Sequence, residues 1–378
     1  SGMFKAHHPS DRFDIHAYIE DYSCLWVQAL RSVYEHTGDS GLVKELWEPL
    51  KKQMKWFIDH RSPDGLVFGR EFTFIDNPLV YCRCEGATLN AFVYKAFRDA
   101  AFLASVTGDR KAEKEYKLVA GEISESYNKY LWIPSKQTYS SGLSNGKQLM
   151  PTSHAAMLAL NRGIVPEKRE VQVKAWLYSN YRNKGKNYTG TGTIPEKFFD
   201  TGLQVRGIDT PYTAFWMLED LYKDGKDAEA LSFIHEKWEK MMKDTVMKTT
   251  WEAFGGGDQC HNMGTAAAYF LSSKVLGISE KFPVSSKVIE IRPQLGSLNR
   301  AEGTVVTIHG PVYVNWEKQN SGIAFSIRIP AGTKAQVTLP CDKSCKTLLV
   351  NNREVVVHHT GDNLVFTIDT IEANGICR

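Results

Sequence analysis

The sequence predicts a multidomain α and β protein: a helical toroid or solenoid of paired helices, followed by an antiparallel β-sandwich. Three observations predict it. Apolar residues recur at helical spacing from about Tyr22 to Leu276. Three turns of one design, Thr37-Gly38-Asp39, Thr107-Gly108-Asp109 and Lys223-Asp224-Gly225-Lys226, split those helices into pairs. From about Pro283 the pattern changes to short β-branched runs. The expected domains are residues 1–278 and 284–378, with the boundary between Gly277 and Pro283.

Leu25, Trp26, Leu30, Val33 and Tyr34 form the first apolar stripe. Gly38 suits a left-handed cap and Ser40 the opening of the next helix. Residues 42–58 resume the pattern, and Pro63-Asp64-Gly65 ends it. Residues 96–106 with 112–131, and 215–222 with 228–241, repeat the arrangement. Helices around 153–160, 168–178 and 265–276 complete the set. Longer links rich in Gly, Tyr, Asp and Pro, such as 63–85 and 187–211, join the units. In a toroid such links gather at one end and line a site. Beyond residue 283, runs such as Val305-Val306-Thr307-Ile308 and Val312-Tyr313-Val314 alternate with turns such as Pro330-Ala331-Gly332 and Asn351-Asn352, as in a sandwich.

A chain of 378 residues with 42% apolar content can bury a sizeable core. Its formal charge of +3 leaves no footprint for nucleic acid, and no apolar run is long enough to span a bilayer. Nine Trp and 16 Tyr suit a carbohydrate site or a large helical core equally. The seven cysteines carry no metal signature: Cys82 and Cys84 are too tightly spaced, and Cys341 and Cys345 lack a second pair. No cofactor is expected. The opening Ser1-Gly2-Met3-Phe4 reads as the interior of a longer protein. The compartment is not fixed; an export signal further upstream would place the protein in the periplasm or outside the cell.

The most informative stretch is Thr249-Thr250-Trp251-Glu252-Ala253-Phe254, followed nine residues after the glutamate by His261. A carboxylate lies between two aromatics, and Gly255-Gly256-Gly257 lets the chain turn before the imidazole. Sugars need this mixture: ring faces to stack on, hydroxyl partners, and an acid or base. The same loop could equally join two helices, with Trp251 and Phe254 closing a core.

These motifs resemble the bacterial α-L-rhamnosidases of glycoside hydrolase family 78. The resemblance runs through Ile19-Glu20-Asp21-Tyr22, Phe74-Ile75-Asp76, Gly207-Ile208-Asp209-Thr210-Pro211-Tyr212, Thr249-Thr250-Trp251-Glu252, His261 and Leu276-Gly277-Ile278. In the C-terminal part it runs through Arg292-Pro293, Glu302-Gly303-Thr304-Val305 and Ile329-Pro330-Ala331-Gly332. It implies an (α/α)6 barrel, here lacking its first helices, and release of terminal α-linked L-rhamnose by an inverting, metal-free mechanism. Inversion uses two carboxyl groups roughly 6.5–9.5 Å apart, with water between one of them and the sugar. Glu252 is the expected general base. Asp21, Trp26, Asp76, Trp251 and His261 are the expected substrate-binding residues. The family's acidic, Arg-containing general-acid motif is not found, and Asn77 stands where the family often has Trp. An upstream portion of the same protein is the expected source of the acid; Asp76, Glu71 and Asp21 are the substitutes otherwise. Two further readings remain: a non-catalytic glycan-binding or scaffold protein that kept the fold, and another (α/α)6 hydrolase or polysaccharide lyase.

Taken singly, each residue also has a structural reading. Trp26 and Trp251 could pack in a helical core, and His261 could bond backbone at a helix start. Glu20-Asp21 could be an acidic first turn favoured by the helix dipole, and Asp209 a helix cap.

Overall fold

The computed structural model describes residues 2–4, 18–70, 73–75, 83–183, 207–282, 284–319, 322–340, 348–355, 358–361 and 363–377. Its contacts divide the chain into two compact units, Ser1–Tyr34 with Asp39–Asp220, and Glu35–Gly38 with Leu221–Arg378.

Helices dominate the first part of the chain: α1 (Glu20–Thr37), α2 (Ser40–Glu45), α3 (Trp47–Asp59), α4 (Ala87–Thr107), α5 (Arg110–Ser126), α6 (Ser153–Asn161), α7 (Glu167–Asn180) and α8 (Pro211–Lys223). The repeated Gly-Asp turn works as expected. Gly38 and Gly108 adopt φ values of 71° and 83°, the left-handed region that a Cβ disfavours. The aspartate that follows then caps the next helix. Asp39 Oδ1 accepts from Gly41 N and Leu42 N at 2.8 and 3.1 Å. Asp109 Oδ1 accepts from Ala112 N at 3.0 Å. The cap of α2 is thus Asp39 rather than the expected Ser40, because an ionised acceptor bonds the open N–H groups more strongly than a hydroxyl.

Two expectations for this part differ from the structure. The helix expected over 42–58 is broken at Leu46. Pro49 has no N–H for the Glu45 carbonyl, so the backbone restarts there. The helical part also carries short strands: β1 (Glu85–Gly86), β2 (Trp132–Ile133), β3 (Thr138–Tyr139), β4 (Gly142–Ser144) and β5 (Lys147–Gln148). β4 pairs with β1 and β5, and β2 with β3. The β4–β5 turn is Asn145-Gly146, both at positive φ, which matches the twist of a two-residue hairpin.

The second unit contains α9 (Asp227–Lys243), α10 (Ala266–Phe270) and two sheets. The five-stranded sheet comprises β6 (Ile278–Glu280), β7 (Val288–Ile291), β11 (Lys334–Pro340), β14 (His358–Thr360) and β15 (Asn363–Ile368), ordered β14-β15-β11-β7-β6. The six-stranded sheet comprises β8 (Arg300–Thr307), β9 (Gly310–Gln319), β10 (Gly322–Arg328), β12 (Leu348–Val350), β13 (Arg353–Glu354) and β16 (Glu372–Cys377), ordered β13-β12-β16-β10-β9-β8. Pairing is antiparallel except between β7 and β11, which run parallel.

Alternation along the strands sends one residue in two into a common core. Val312, Val314 and Trp316 of β9 and Phe325 and Ile327 of β10 meet Ile289 and Ile291 of β7, Val337 of β11 and Phe366 of β15. Trp316 donates its indole N–H to the Leu276 carbonyl at 2.9 Å. The same unit takes in α9: Leu231 packs on this core, and Gln294 Nε2 donates to Tyr222 O and Asp227 Oδ1, both at 3.0 Å. The compact second unit therefore begins well before the change of periodicity near residue 278. Among the described residues no helix is long and apolar enough to cross a membrane.

Candidate active site

Glu252 is held by a closed loop between α9 and α10, wholly within the second unit. Two rungs close its base. His261 N donates to Thr250 O at 2.9 Å, and the Thr250 hydroxyl donates to His261 O at 2.9 Å. Thr249 Oγ1 also donates to Gln259 O. Above them Glu252 N donates to Asp258 O at 2.9 Å, and Ala253 and Gly256 exchange backbone bonds at 3.1 Å. The loop tip is therefore a tight hairpin with Phe254 and Gly255 at its turn.

Glycine is required where this hairpin passes the carboxylate. Gly257 has φ +86°, and a Cβ there would lie 3.0 Å from Glu252 Oε2. The Gly264 backbone comes equally close to Thr250 and Trp251: a Cβ there would fall 2.5 Å from Thr250 Cβ.

α9 supports the loop from below. Trp238 packs edge-on against Phe254 with centroids 4.7 Å apart and donates to Gly264 O at 2.7 Å. Trp251 N donates to Met241 Sδ at 3.4 Å. Lys240 lies 5.2 Å above the Trp251 ring and donates to Gly255 O at 3.2 Å. Trp251 retains 2% exposure, which differs from the open stacking face expected of it. The apolar ring is drawn into the core between the loop and α9. Its indole N–H is buried without a partner among the described residues.

Glu252 is half-buried, and among the described residues its carboxylate meets one weak donor, Asp258 N at 3.5 Å from Oε2. A carboxylate so lightly engaged keeps lone pairs for water or a hydroxyl. His261 is half-buried, and its Nδ1 accepts from Met263 N at 3.4 Å, capping the turn Asn262–Thr265. That bond fixes the tautomer: in the neutral ring Nε2 carries the proton and can donate. The cap and the hydroxyl-binding role expected for His261 use different nitrogens, so they are compatible.

The other expected residues lie in the first unit. Asp21 is fully buried and all its visible bonding is internal. Oδ1 accepts from Phe74 N at 3.0 Å; Oδ2 accepts from Ile75 N at 3.2 Å and from the Tyr212 hydroxyl at 3.1 Å. Burial pushes its carboxyl up to about 6, against the opposing effect of these three donors. The neighbouring Glu20 accepts from Arg70 N at 2.9 Å and from the Thr73 hydroxyl at 3.4 Å. The acidic first turn of α1 thus grips a distant loop.

Trp26 is half-buried with its ring 4.1 Å from Phe4. Asp76 and Glu71 lie outside the described residues. At the start of α8 the Thr210 hydroxyl receives Thr213 N, at 3.3 Å. A groove of about 740 Å³ between α1, α4 and α5, lined by Arg31, Arg98 and Lys117 among others, contains none of the expected site residues.

Sequence reasoning missed three residues that the structure makes important. Tyr212 and Phe74 stood within quoted motifs, but only three-dimensional proximity joins them to Asp21. The third, Gly257, lay in a run of glycines whose individual duties no spacing reveals.

Residues 2–275 match the bacterial α-L-rhamnosidase 6-hairpin glycosidase domain, and residues 277–354 match the bacterial α-L-rhamnosidase C-terminal domain. An α-L-rhamnosidase of Formosa agariphila is 21% identical over 332 residues, covering 85% of this chain and 34% of that protein. The crystal structure of the GH78 rhamnosidase of Bacillus sp. GL1 superposes with a TM-score of 0.70 at 22% identity, covering 85% of this chain and 33% of that one. The α-L-rhamnosidase of Streptomyces avermitilis, solved with L-rhamnose, gives 0.67 at 17% identity, covering 91% and 32%. The chain therefore spans about a third of the length of these relatives. With both of its parts matched in order, and the first match covering most of its length, this chain belongs to the family of bacterial α-L-rhamnosidases built on the six-hairpin glycosidase fold.

Proposed function

We propose that this chain forms the catalytic barrel, residues 1–278, and the C-terminal sandwich, residues 284–378, of an enzyme that hydrolyses terminal α-linked L-rhamnose with inversion. Glu252 is the general base. Its loop supports this reading best: backbone pairing of Thr250 with His261, Glu252 with Asp258 and Ala253 with Gly256, a glycine whose Cβ would lie 3.0 Å from the carboxylate, and a carboxylate with one weak donor among the described residues. Such a group can take the proton of a water molecule as that water attacks the anomeric carbon. His261 donates from Nε2 to a sugar hydroxyl. Trp26 and Asp76 remain candidates for direct sugar contact. Trp251 serves beneath the loop, and Asp21 holds the backbone of Phe74 and Ile75 within the first unit. The proton donor for the leaving oxygen comes from residues outside these 378.

The experiment is hydrolysis of an aryl α-L-rhamnoside by the intact protein, with the anomer of the released sugar followed by NMR. Glu252→Gln keeps shape and hydrogen bonding but cannot accept a proton. It is expected to lose on the order of 10²–10⁴ in kcat while still binding rhamnose. Near-normal turnover by this variant would remove Glu252 from the role. Retention of configuration would replace the base with a nucleophile. Binding of rhamnose without turnover by the wild type would favour the non-catalytic, glycan-binding reading.

A further inference from the structure

Glu252 stands in the chain between two anchored aromatics. Trp251, directly before it, and Phe254, at the turn that follows, are both buried, whereas Glu252 is half-buried. One side chain of α9 reaches both anchors. The Trp238 ring meets the Phe254 ring edge-on, with centroids 4.7 Å apart and planes at 74°. Its indole N–H donates to Gly264 O at 2.7 Å. Gly264 in turn lies hard against the other anchor: a Cβ there would fall 2.8 Å from both N and O of Trp251. Trp238, itself 5% exposed, thus fixes the backbone on either side of the carboxylate.

We propose that Trp238 is the positioning residue of the general base, setting where the Glu252 carboxylate stands by holding the chain before and after it. This rests on the reading of Glu252 as the base. Indole suits the task because one side chain combines a flat apolar body, which packs on a ring edge, with an N–H that seeks a buried acceptor. The other supports from α9 are weaker. Lys240 reaches Gly255 O from an exposed position, where water competes for both groups, and Met241 offers Trp251 N only a thioether at 3.4 Å.

Position matters here because a general base acts only within hydrogen-bond reach of the proton it takes, and a small misplacement costs rate. A tryptophan that merely filled the core would change stability and leave the chemistry of the folded molecules alone. One that aims the carboxylate changes kcat, and does so only while the carboxylate is there to be aimed.

The test is a double-mutant cycle on kcat, with the intact protein and an aryl α-L-rhamnoside, at a temperature where melting curves show every variant folded. Trp238→Phe keeps a ring against Phe254 and removes the N–H from the Gly264 carbonyl. It is expected to lower kcat about tenfold and to leave KM within about twofold. Phe254→Leu cuts the other contact and is expected to act in the same direction. In the Glu252→Gln background both substitutions are expected to change the residual kcat by less than about twofold, because they act through a carboxylate that is no longer present.

Near-normal kcat in Trp238→Phe, beside an inactive Glu252→Gln, overturns the positioning role and leaves the base in place. Where Trp238→Phe does not fold, near-normal kcat in Phe254→Leu does the same. Equal fold-losses with and without the carboxylate overturn it too, since Trp238 would then support the fold at large. Near-normal turnover by Glu252→Gln itself overturns the reading of Glu252 as the base, and the proposal with it.

Discussion

Gly257 makes the space that Glu252 occupies. A Cβ on Gly257 would sit 3.0 Å from Glu252 Oε2 and 3.4 Å from Glu252 Cβ, on a backbone at φ +86°. The same short stretch that closes the hairpin also forms the wall behind the carboxylate, so backbone conformation and side-chain aim are one constraint.

Gly257→Ala should therefore damage turnover more than folding. An L-residue in the left-handed region costs about 1–2 kcal/mol, a modest loss for a chain of this size. Displacing the Glu252 carboxylate by a few tenths of an ångström should lower kcat on an aryl α-L-rhamnoside about tenfold or more. Calorimetric melting beside steady-state kinetics separates the two effects. A variant that melts early yet turns over normally would show that the contact does not aim the carboxylate.

His261→Ala should act chiefly on binding. The imidazole caps the Asn262–Thr265 turn through Nδ1, and its loss should cost about 1 kcal/mol of stability. Loss of the Nε2 donor should raise KM severalfold, with little change in kcat, because no proton carrier is removed. His261→Gln can supply a donor of similar reach and should recover part of the affinity. Equal losses of kcat and kcat/KM would instead give His261 a role in the transition state.

The buried Asp21 should imprint a pH dependence on stability. Its carboxyl is raised from 3.8 to about 6 in the folded protein, so between those values the native state binds more protons than the unfolded chain. Its contribution to stability is then fully present below about pH 4 and is lost as pH rises through 6. The total is on the order of 3 kcal/mol. Urea unfolding of wild type and Asp21→Asn across this range should show the wild type losing ground to the variant as pH rises. A difference that stays constant with pH would mean that Asp21 is not shifted.

Much of this protein was legible from local pattern. Helical periodicity, the repeated Gly-Asp turns and the alternating runs after residue 283 are enforced within a few residues of chain. Neighbouring side chains and φ angles decide them before any distant contact forms. The Glu252–His261 loop was legible for the same reason: both ends, its glycines and its rungs lie within one short stretch.

What only the tertiary structure decided is how far-separated segments use each other. Leu46 ends α2, and the Asn145-Gly146 hairpin interrupts the helices, yet both follow local rules that were simply outweighed in reading a longer pattern. Trp251 is different: whether an aromatic beside a carboxylate faces a ligand or a core depends on where α9 places Trp238, Met241 and Lys240. Asp21 differs still more. As sequence it is one acid in a helix's first turn; folded, it is a buried anion gripping Phe74, Ile75 and Tyr212, the last 191 positions away. Burial and hydrogen-bond satisfaction are properties of the assembled interior, and a chain read residue by residue does not contain them.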